Sequence, residues 1–291
     1  MARKDIMLAK PINFIQLERW DRIIAQPKIN GIRCRAVIQK NGSRVNVSLF
    51  SSEANEIISV PHISNELANA IHDGPLSHLD VIHLDGELYR HGMALQDIRS
   101  ITGRTVSRHV DSDVVEYHIF DIIDARPQYD RTAELELLAI SMNHGTLRRV
   151  PSEIIKFDHI SDYIAACMKQ GFEGAIFRHP DGLYQAKRTG HMFKCKPRET
   201  DTYRIIGVNE EISIHGEPKN ALGSFICEKD GETFKVGSGS SLTRDNRIEY
   251  WKNREQLTNG QYVAVVKYQN LTNRQVPYCP VVIDVIKASN A

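Results

Sequence analysis

The apolar pattern of the chain changes character once, after Lys196-Pro197-Arg198. Before that point, runs with the two-residue alternation of strands are interleaved with runs at helical spacing. Beyond it come five strand-like runs (203–208, 223–229, 232–237, 262–269 and 281–287) and one helical stretch around 244–256. The first part therefore reads as an α+β domain over 1–198. The second reads as a small all-β barrel of the OB-fold kind over 199–291, with Asp230-Gly231 as one of its hairpin turns. A length of 291 residues suits two bodies with a core each.

In the first part, two strands flank Lys40-Asn41-Gly42-Ser43, and Ser64 is placed to cap a helix carrying Leu67, Ala70 and Ile71 that stops near Gly74. Val81-Ile82-His83-Leu84 reads as a short buried strand ending at Asp85-Gly86, and 114–123 as another strand. Helices are expected over 132–144, with Leu135, Leu138, Ala139 and Met142 on one face, and over 161–170, capped by Ser161 and grouping Ile164, Cys167 and Met168. Strands then follow at 174–178 and 192–196.

Charge and cysteine usage exclude some classes. With 37 Lys+Arg against 36 Asp+Glu the net charge is +1, and the two parts are equally balanced, so bulk electrostatic coating of nucleic acid is excluded while a local basic groove is not. No apolar run reaches the length of a membrane span, and Met1-Ala2-Arg3-Lys4-Asp5 leads into no signal-peptide core. Five cysteines without a CxxC pair suggest neither a disulfide framework nor a zinc site, so an intracellular, reducing compartment is expected. None of the twelve histidines forms an HxxxH or HExxH pair.

The chemistry lies in an ordered set of short segments. They are Lys28-Ile29-Asn30-Gly31-Ile32-Arg33, Asp85-Gly86-Glu87-Leu88, Tyr117-His118-Ile119-Phe120-Asp121, Glu173-Gly174-Ala175-Ile176-Phe177-Arg178 and Phe193-Lys194-Cys195-Lys196. Each alone is compatible with a turn or a solvated charge. Together they supply what nucleotidyl transfer through a lysine needs. A free lysine is deprotonated only about once in 2,500 at pH 7, so a nucleophilic Lys28 calls for cationic neighbours such as Lys194 and Lys196, which also neutralise a phosphate. Glu87 and Glu173 are carboxylates suited to a ribose hydroxyl or a hydrated Mg²⁺, and Phe120 offers a ring on which a purine stacks.

This set, with Ala25-Gln26-Pro27-Lys28 before it and Gly223-Ser224, Val236-Gly237-Ser238-Gly239 and Tyr250-Trp251 after it, resembles the covalent nucleotidyltransferase superfamily of ATP-dependent DNA ligases, RNA ligases and capping enzymes. The likeness is to the minimal viral DNA ligases of the Chlorella-virus type. The resemblance implies a nucleotidyltransferase (adenylation) domain followed by an OB-fold domain. It implies a monomer that binds nicked duplex DNA, uses ATP and Mg²⁺, and seals 3′-hydroxyl/5′-phosphate nicks. By resemblance, Lys28 carries AMP covalently, Gln26 contacts the adenine edge, Phe120 its face and Glu87 the ribose. Glu173, with Glu87, serves the metal, and Lys194 and Lys196 the AMP phosphate. Arg33 contacts nucleotide or DNA, and Arg35 and Arg104 contact DNA. An RNA ligase, a capping-type nucleotidyltransferase and a weakened ligase acting as a nick-binding module are the alternatives.

Four departures qualify the resemblance. Asn30 stands where the family motif carries Asp, which weakens electrostatic help to the lysine or metal. Ser52 stands where an arginine for the nick's 5′-phosphate is usual, with Arg35 or Arg44 as stand-ins. Tyr278 and Ile286 occupy arginine positions of the C-terminal motif, with Lys287 or Arg274 as replacements. Finally, the barrel segment before Gly223 leaves no room for a long DNA-encircling hairpin, which implies weaker and more salt-sensitive nick binding. The basic stretch Arg99, Arg104, Arg108 and His109, and the pair Lys187-Arg188, are equally well read as solvated loops or as duplex contacts. Arg244, Arg247 and Lys252 read as a solvated helix face, and Trp20 and Trp251 as core anchors.

Overall fold

Among the described residues, ten strands and five α-helices precede the change of pattern. They are β1 (Leu8–Pro11), α1 (Phe14–Leu17), β2 (Ile23–Lys28), β3 (Ile32–Asn41), β4 (Arg44–Ser51), α2 (Pro61–His72), β5 (Val81–Tyr89), α3 (Leu95–Thr102), β6 (Glu116–Ile122), α4 (Gln128–Ala139), β7 (Leu147–Arg149), β8 (Glu153–Ile155), α5 (Ile160–Lys169), β9 (Gly174–Arg178) and β10 (Arg188–Cys195). The computed structural model describes residues 5–72, 74–142, 145–268, 270–272 and 274–288. Contacts divide the chain into units Met1–Lys196 and Pro197–Ala291.

The first unit holds two five-stranded sheets, ordered β1-β10-β9-β2-β8 and β4-β3-β5-β6-β7. The second sheet buries Cys34, Ala36 and Ile38 of β3 with Ile82, Leu84 and Leu88 of β5 against α2 and α4. The alternation of β3 and β5 turns Arg33, Arg35, Asp85 and Glu87 to the other face. In the first sheet, Trp20, Ile23, Ala25, Phe177 and Phe193 pack against Ile160 and Cys167 of α5. The chain passes from the first sheet to the second between Lys28 and Ile32, which sets the lysine motif at the junction of the two.

Several expectations are corrected here. Asp85-Gly86 is no turn. β5 runs through it between β3 and β6, and the pairing register with β6 shifts there. A Cβ on Gly86 would stand 2.6 Å from the His118 carbonyl oxygen and from the Tyr117 ring, so only glycine fits this crowded strand interior. Ser64 lies inside α2, which starts at Pro61, a residue whose fixed φ suits a first turn. Ser161 likewise lies inside α5, and Met168 is exposed at 38%. The helix expected over 132–144 starts earlier, at Gln128, and ends in a 3₁₀ turn at Ile140–Met142. Positions 1–4, 143–144 and 269, which those expectations included, lie outside the described residues.

The second unit contains β11 (Glu199–Ile212), β12 (Pro218–Lys229), β13 (Glu232–Val236), α6 (Arg244–Lys252), α7 (Arg254–Leu257), β14 (Tyr262–Tyr268), β15 (Asn270–Leu271), β16 (Pro277–Tyr278) and β17 (Val281–Lys287). Five strands pair antiparallel in the order β13-β12-β11-β14-β17 around Tyr203, Leu222, Phe225, Ala264 and Val282. Val282 donates to the Ser238 carbonyl at 2.8 Å, which draws the two edges of the sheet together. This is the OB-like barrel. β11 and β12 are much longer than the sequence pattern indicated, and the turn 213–217 joins them directly, with no inserted hairpin.

Arg247 is not part of a solvated face. Its guanidinium donates to the carbonyls of Leu222, Gly223, Gly237 and Leu242 and pins α6 to the barrel wall. Trp20 is buried, whereas Trp251 is half-buried beneath Arg254. No helix among the described residues is long and apolar enough to cross a membrane.

Candidate active site

β2 is buried from Ile23 to Pro27, flanked by β8 and β9, and only its last residue, Lys28, is partly exposed. Lys28 Nζ stands 2.6 Å from Glu173 Oε2 and donates to the Ile29 carbonyl at 3.2 Å. The other carboxylate oxygen of Glu173 is paired with Lys196. Glu173 N donates to the Lys28 carbonyl at 2.9 Å, so the backbone fixes the two motifs to each other. Glu173 thus places one carboxylate between two ammonium groups, those of Lys28 and Lys196.

A cleft opens beside Lys28. Lys28, Gln26, Arg33, Glu87, Phe120 and Lys194 all line it, together with apolar Ile29, Ile176 and Met192. Lys196 instead borders an adjoining trough, which also carries Ser52, Arg99 and Arg104. Burial pushes the Glu87 carboxyl above its ordinary range, against the opposing pull of Lys28 and Arg33. Among the described residues no group of three His, Cys, Asp or Glu converges as a metal site. Two carboxylates, Glu87 and Glu173, fit a hydrated Mg²⁺ completed by water and phosphate oxygens rather than an all-protein cage.

Gln26 is buried, and its amide orientation is fixed. Nε2 donates to the Phe120 carbonyl and to Ser152 Oγ, both at 3.0 Å, while Oε1 accepts from Arg178 Nε at 2.8 Å. Arg178 in turn donates to Asp121 Oδ2 at 2.8 Å and to Gln128 Oε1 at 3.0 Å. Fully buried Arg131 donates to Asp121 Oδ1 at 2.9 Å and to Gln128 Oε1 at 2.6 Å. Burial pulls Arg178 below the usual guanidinium range despite Asp121. Sequence reasoning missed this network and Ser152. Its signal was there in Asp121 and Arg178, charged residues at alternating positions of otherwise apolar strands.

Arg33 lines both the cleft and the trough, but its fork is held by the two oxygens of buried Asp85, which also accepts from Tyr184 Oη at 2.6 Å. Although burial opposes its charge, the Asp85 carboxylate raises the Arg33 pKa. The Phe120 ring already meets Arg33 at 4.6 Å and Arg178 at 5.5 Å. Arg35 faces Asp5 at 3.7 Å and lies 5.5 Å over the Phe50 ring, outside the residues that line the trough. Arg44 lies at the hairpin turn, opposite Asn41 and at the far end of β4 from Ser51. Arg44 is therefore too far along the strand to stand in at Ser52, whereas Arg35 pairs with Phe50, two residues from it. In the second unit, Arg274 is paired with Glu232, Tyr278 lies on β16 and Ile286 on β17.

Comparison with known proteins adds to this geometry. A family described as "ATP dependent DNA ligase domain" matches residues 6–196, and one described as "DNA ligase OB-like domain" matches residues 215–285. A DNA ligase of Haemophilus influenzae is 23% identical over 286 residues, covering 95% of this chain and 90% of that protein. A DNA ligase of African swine fever virus is 29% identical over 257 residues, and the aligned region spans 57% of the viral protein. Among solved structures, a Lig E DNA ligase superposes with a TM-score of 0.71 at 20% identity, over 97% of this chain and 98% of that one.

Proposed function

The chain belongs to the ATP-dependent DNA ligase family, and from that premise we propose that it seals nicks in duplex DNA through a lysyl-AMP on Lys28. One observation carries the reading. The Lys28–Glu173–Lys196 cluster lies beside the cleft on which Gln26, Glu87, Phe120 and Lys194 converge.

In the first step the Lys28 amine attacks the α-phosphorus of ATP. The bond to pyrophosphate breaks, and the proton leaves Nζ, beside which Glu173 Oε2 stands at 2.6 Å. Lys196, on the same carboxylate, keeps positive charge at the phosphate when Lys28 loses its own. An oxygen of the nick's 5′-phosphate then attacks the AMP phosphorus, and Lys28 leaves as the amine. Attack of the 3′-hydroxyl on the 5′-phosphorus finally releases AMP and closes the strand. Glu87 holds the ribose. Gln26, with both amide hydrogens already engaged, presents only a lone pair of Oε1 to the base. Mg²⁺, held by Glu173 and Glu87 directly or through water, supplies charge to the α-phosphate when bound.

The same reading takes residues 1–198 as the adenylation domain, 199–291 as the OB-fold domain, and the protein as a monomer acting inside a reducing compartment. The five free thiols support the last point. Incubation with α-labelled ATP or GTP tests the proposal. Label from ATP, lost in Lys28→Ala, and sealing of a 5′-phosphorylated nick are expected. Label from GTP alone would favour a capping activity, and sealing confined to RNA ends an RNA ligase. Asn30→Asp is expected to speed lysyl-AMP formation several-fold by restoring a negative charge next to the cluster; an unchanged rate would refute the role given to that position.

A further inference from the structure

We propose that Arg99 and Arg104 bind the 5′-phosphate of the nick in the trough that adjoins the nucleotide cleft. This rests on the ligase reading of the cleft. The trough and the cleft share Lys28, Arg33, Glu87 and Lys194, but only the trough reaches Arg99 and Arg104. These two guanidinium groups thus line the same trough as Lys28 without lining the cleft.

The second step defines what that space must hold. An oxygen of the acceptor phosphate has to come within about 3–3.5 Å of the phosphorus carried on Lys28. A terminal phosphate is a dianion, and a guanidinium fork matches its oxygens in pairs. Arg33, the other arginine of the trough, is already held by Asp85. Arg99 and Arg104 are exposed, and neither carries an ion pair among the described residues. Most other arginines of this unit are paired with carboxylates, as Arg90 and Arg148 are with Glu116 and Arg126 is with Asp124.

Glu53 and Glu56 border the same trough, so it is no general anion sink, and the place of a phosphate in it is set by the two guanidinium groups. Both sit on a rigid support. Arg99 belongs to α3, whose Ile98 and Ile101 are buried, and Arg104 follows the Gly103 cap, whose N–H donates to the Arg99 carbonyl at 3.0 Å.

The test compares affinity for two nicked duplexes, one with a 5′-phosphate and one with a 5′-hydroxyl, using adenylated enzyme without divalent metal. Wild type is expected to prefer the phosphate by about tenfold. Arg99→Ala/Arg104→Ala is expected to lose that preference and to seal poorly, with the loss falling on sealing rather than on lysyl-AMP formation. Adding Ser52→Arg to the double variant is expected to restore part of the preference, because Ser52 lines the same trough. A double variant that kept the wild-type preference would overturn the proposal. An equal fall in lysyl-AMP formation would also overturn it, by assigning the arginines to the triphosphate tail of ATP. If wild type formed no lysyl-AMP at all, the ligase reading itself would fail, which is a distinct result.

Discussion

At Gly31 the backbone lies against its neighbour strand without room for a methyl group. A Cβ there would stand 2.3 Å from the Leu88 carbonyl oxygen and 2.8 Å from Cγ of Glu87. Gly31→Ala must therefore push β3 off β5 beside Glu87. Overpacking of this kind costs about 1–3 kcal/mol, read as a lower urea midpoint. The loss of lysyl-AMP labelling is expected to exceed what unfolding alone explains, since Glu87 is the side chain displaced. Labelling that simply tracked the folded fraction would show Gly31 to be a packing residue only. Asn30, one residue earlier, has no such steric reason: no described contact explains why the carboxylate of the family motif is absent there.

At the scale of elements, Asp121 joins three of them. It sits on β6 and receives Arg131 of α4 and Arg178 of β9, and through Arg178 the network reaches Gln26 on β2. Asp121→Asn keeps the shape but leaves two buried guanidinium groups sharing a neutral acceptor, and breaking a buried ion pair costs about 3–5 kcal/mol. The variant is expected to melt far below wild type; a small change would mean that Gln128 and the Gly182 carbonyl suffice to hold both arginines. β6 also carries His118, whose pKa burial pulls below the ordinary 6.5, more than the hydrogen bond and charge of Glu116 raise it. The unfolded chain then binds the proton more readily. Stability from this ring is complete above the unfolded value and is lost as pH falls through the folded one. His118→Asn is expected to flatten the decline of the urea midpoint between about pH 7 and pH 5; an unchanged decline would assign it to other groups. Most strands were legible in the sequence because apolar alternation survives where one face is buried. β2 was not, since it is buried on every side and shows no alternation, and Asp85-Gly86 imitated a turn. The lysine, glutamate and phenylalanine of the site were legible as motif residues. The buried arginine network was not, because its partners lie up to 152 positions apart.

For the whole molecule, the even charge balance acquires a narrower meaning. Residues 199–291 carry 11 basic and 12 acidic side chains, so the barrel adds no net attraction for DNA. Its longest hairpin, β11–β12, turns directly at 213–217 without the insertion that larger viral barrels are expected to carry. The steeper salt dependence expected from the sequence is reversed once contacts are counted. Each neutralised phosphate releases counterions and adds about −0.9 to the slope of log affinity against log salt, so fewer contacts give a weaker but shallower response. Many arginines are unavailable for that purpose, because Arg33, Arg131, Arg178 and Arg247 are held within the fold. Nick affinity titrated across a salt series is thus expected to be modest and to show a slope of only a few units. Part of that slope should vanish in Arg99→Ala/Arg104→Ala, by about one unit per lost phosphate contact. A slope near that of proteins that grip many phosphates would mean that DNA is held through a surface larger than the trough, and the site would then be only the centre of a wider basic footprint.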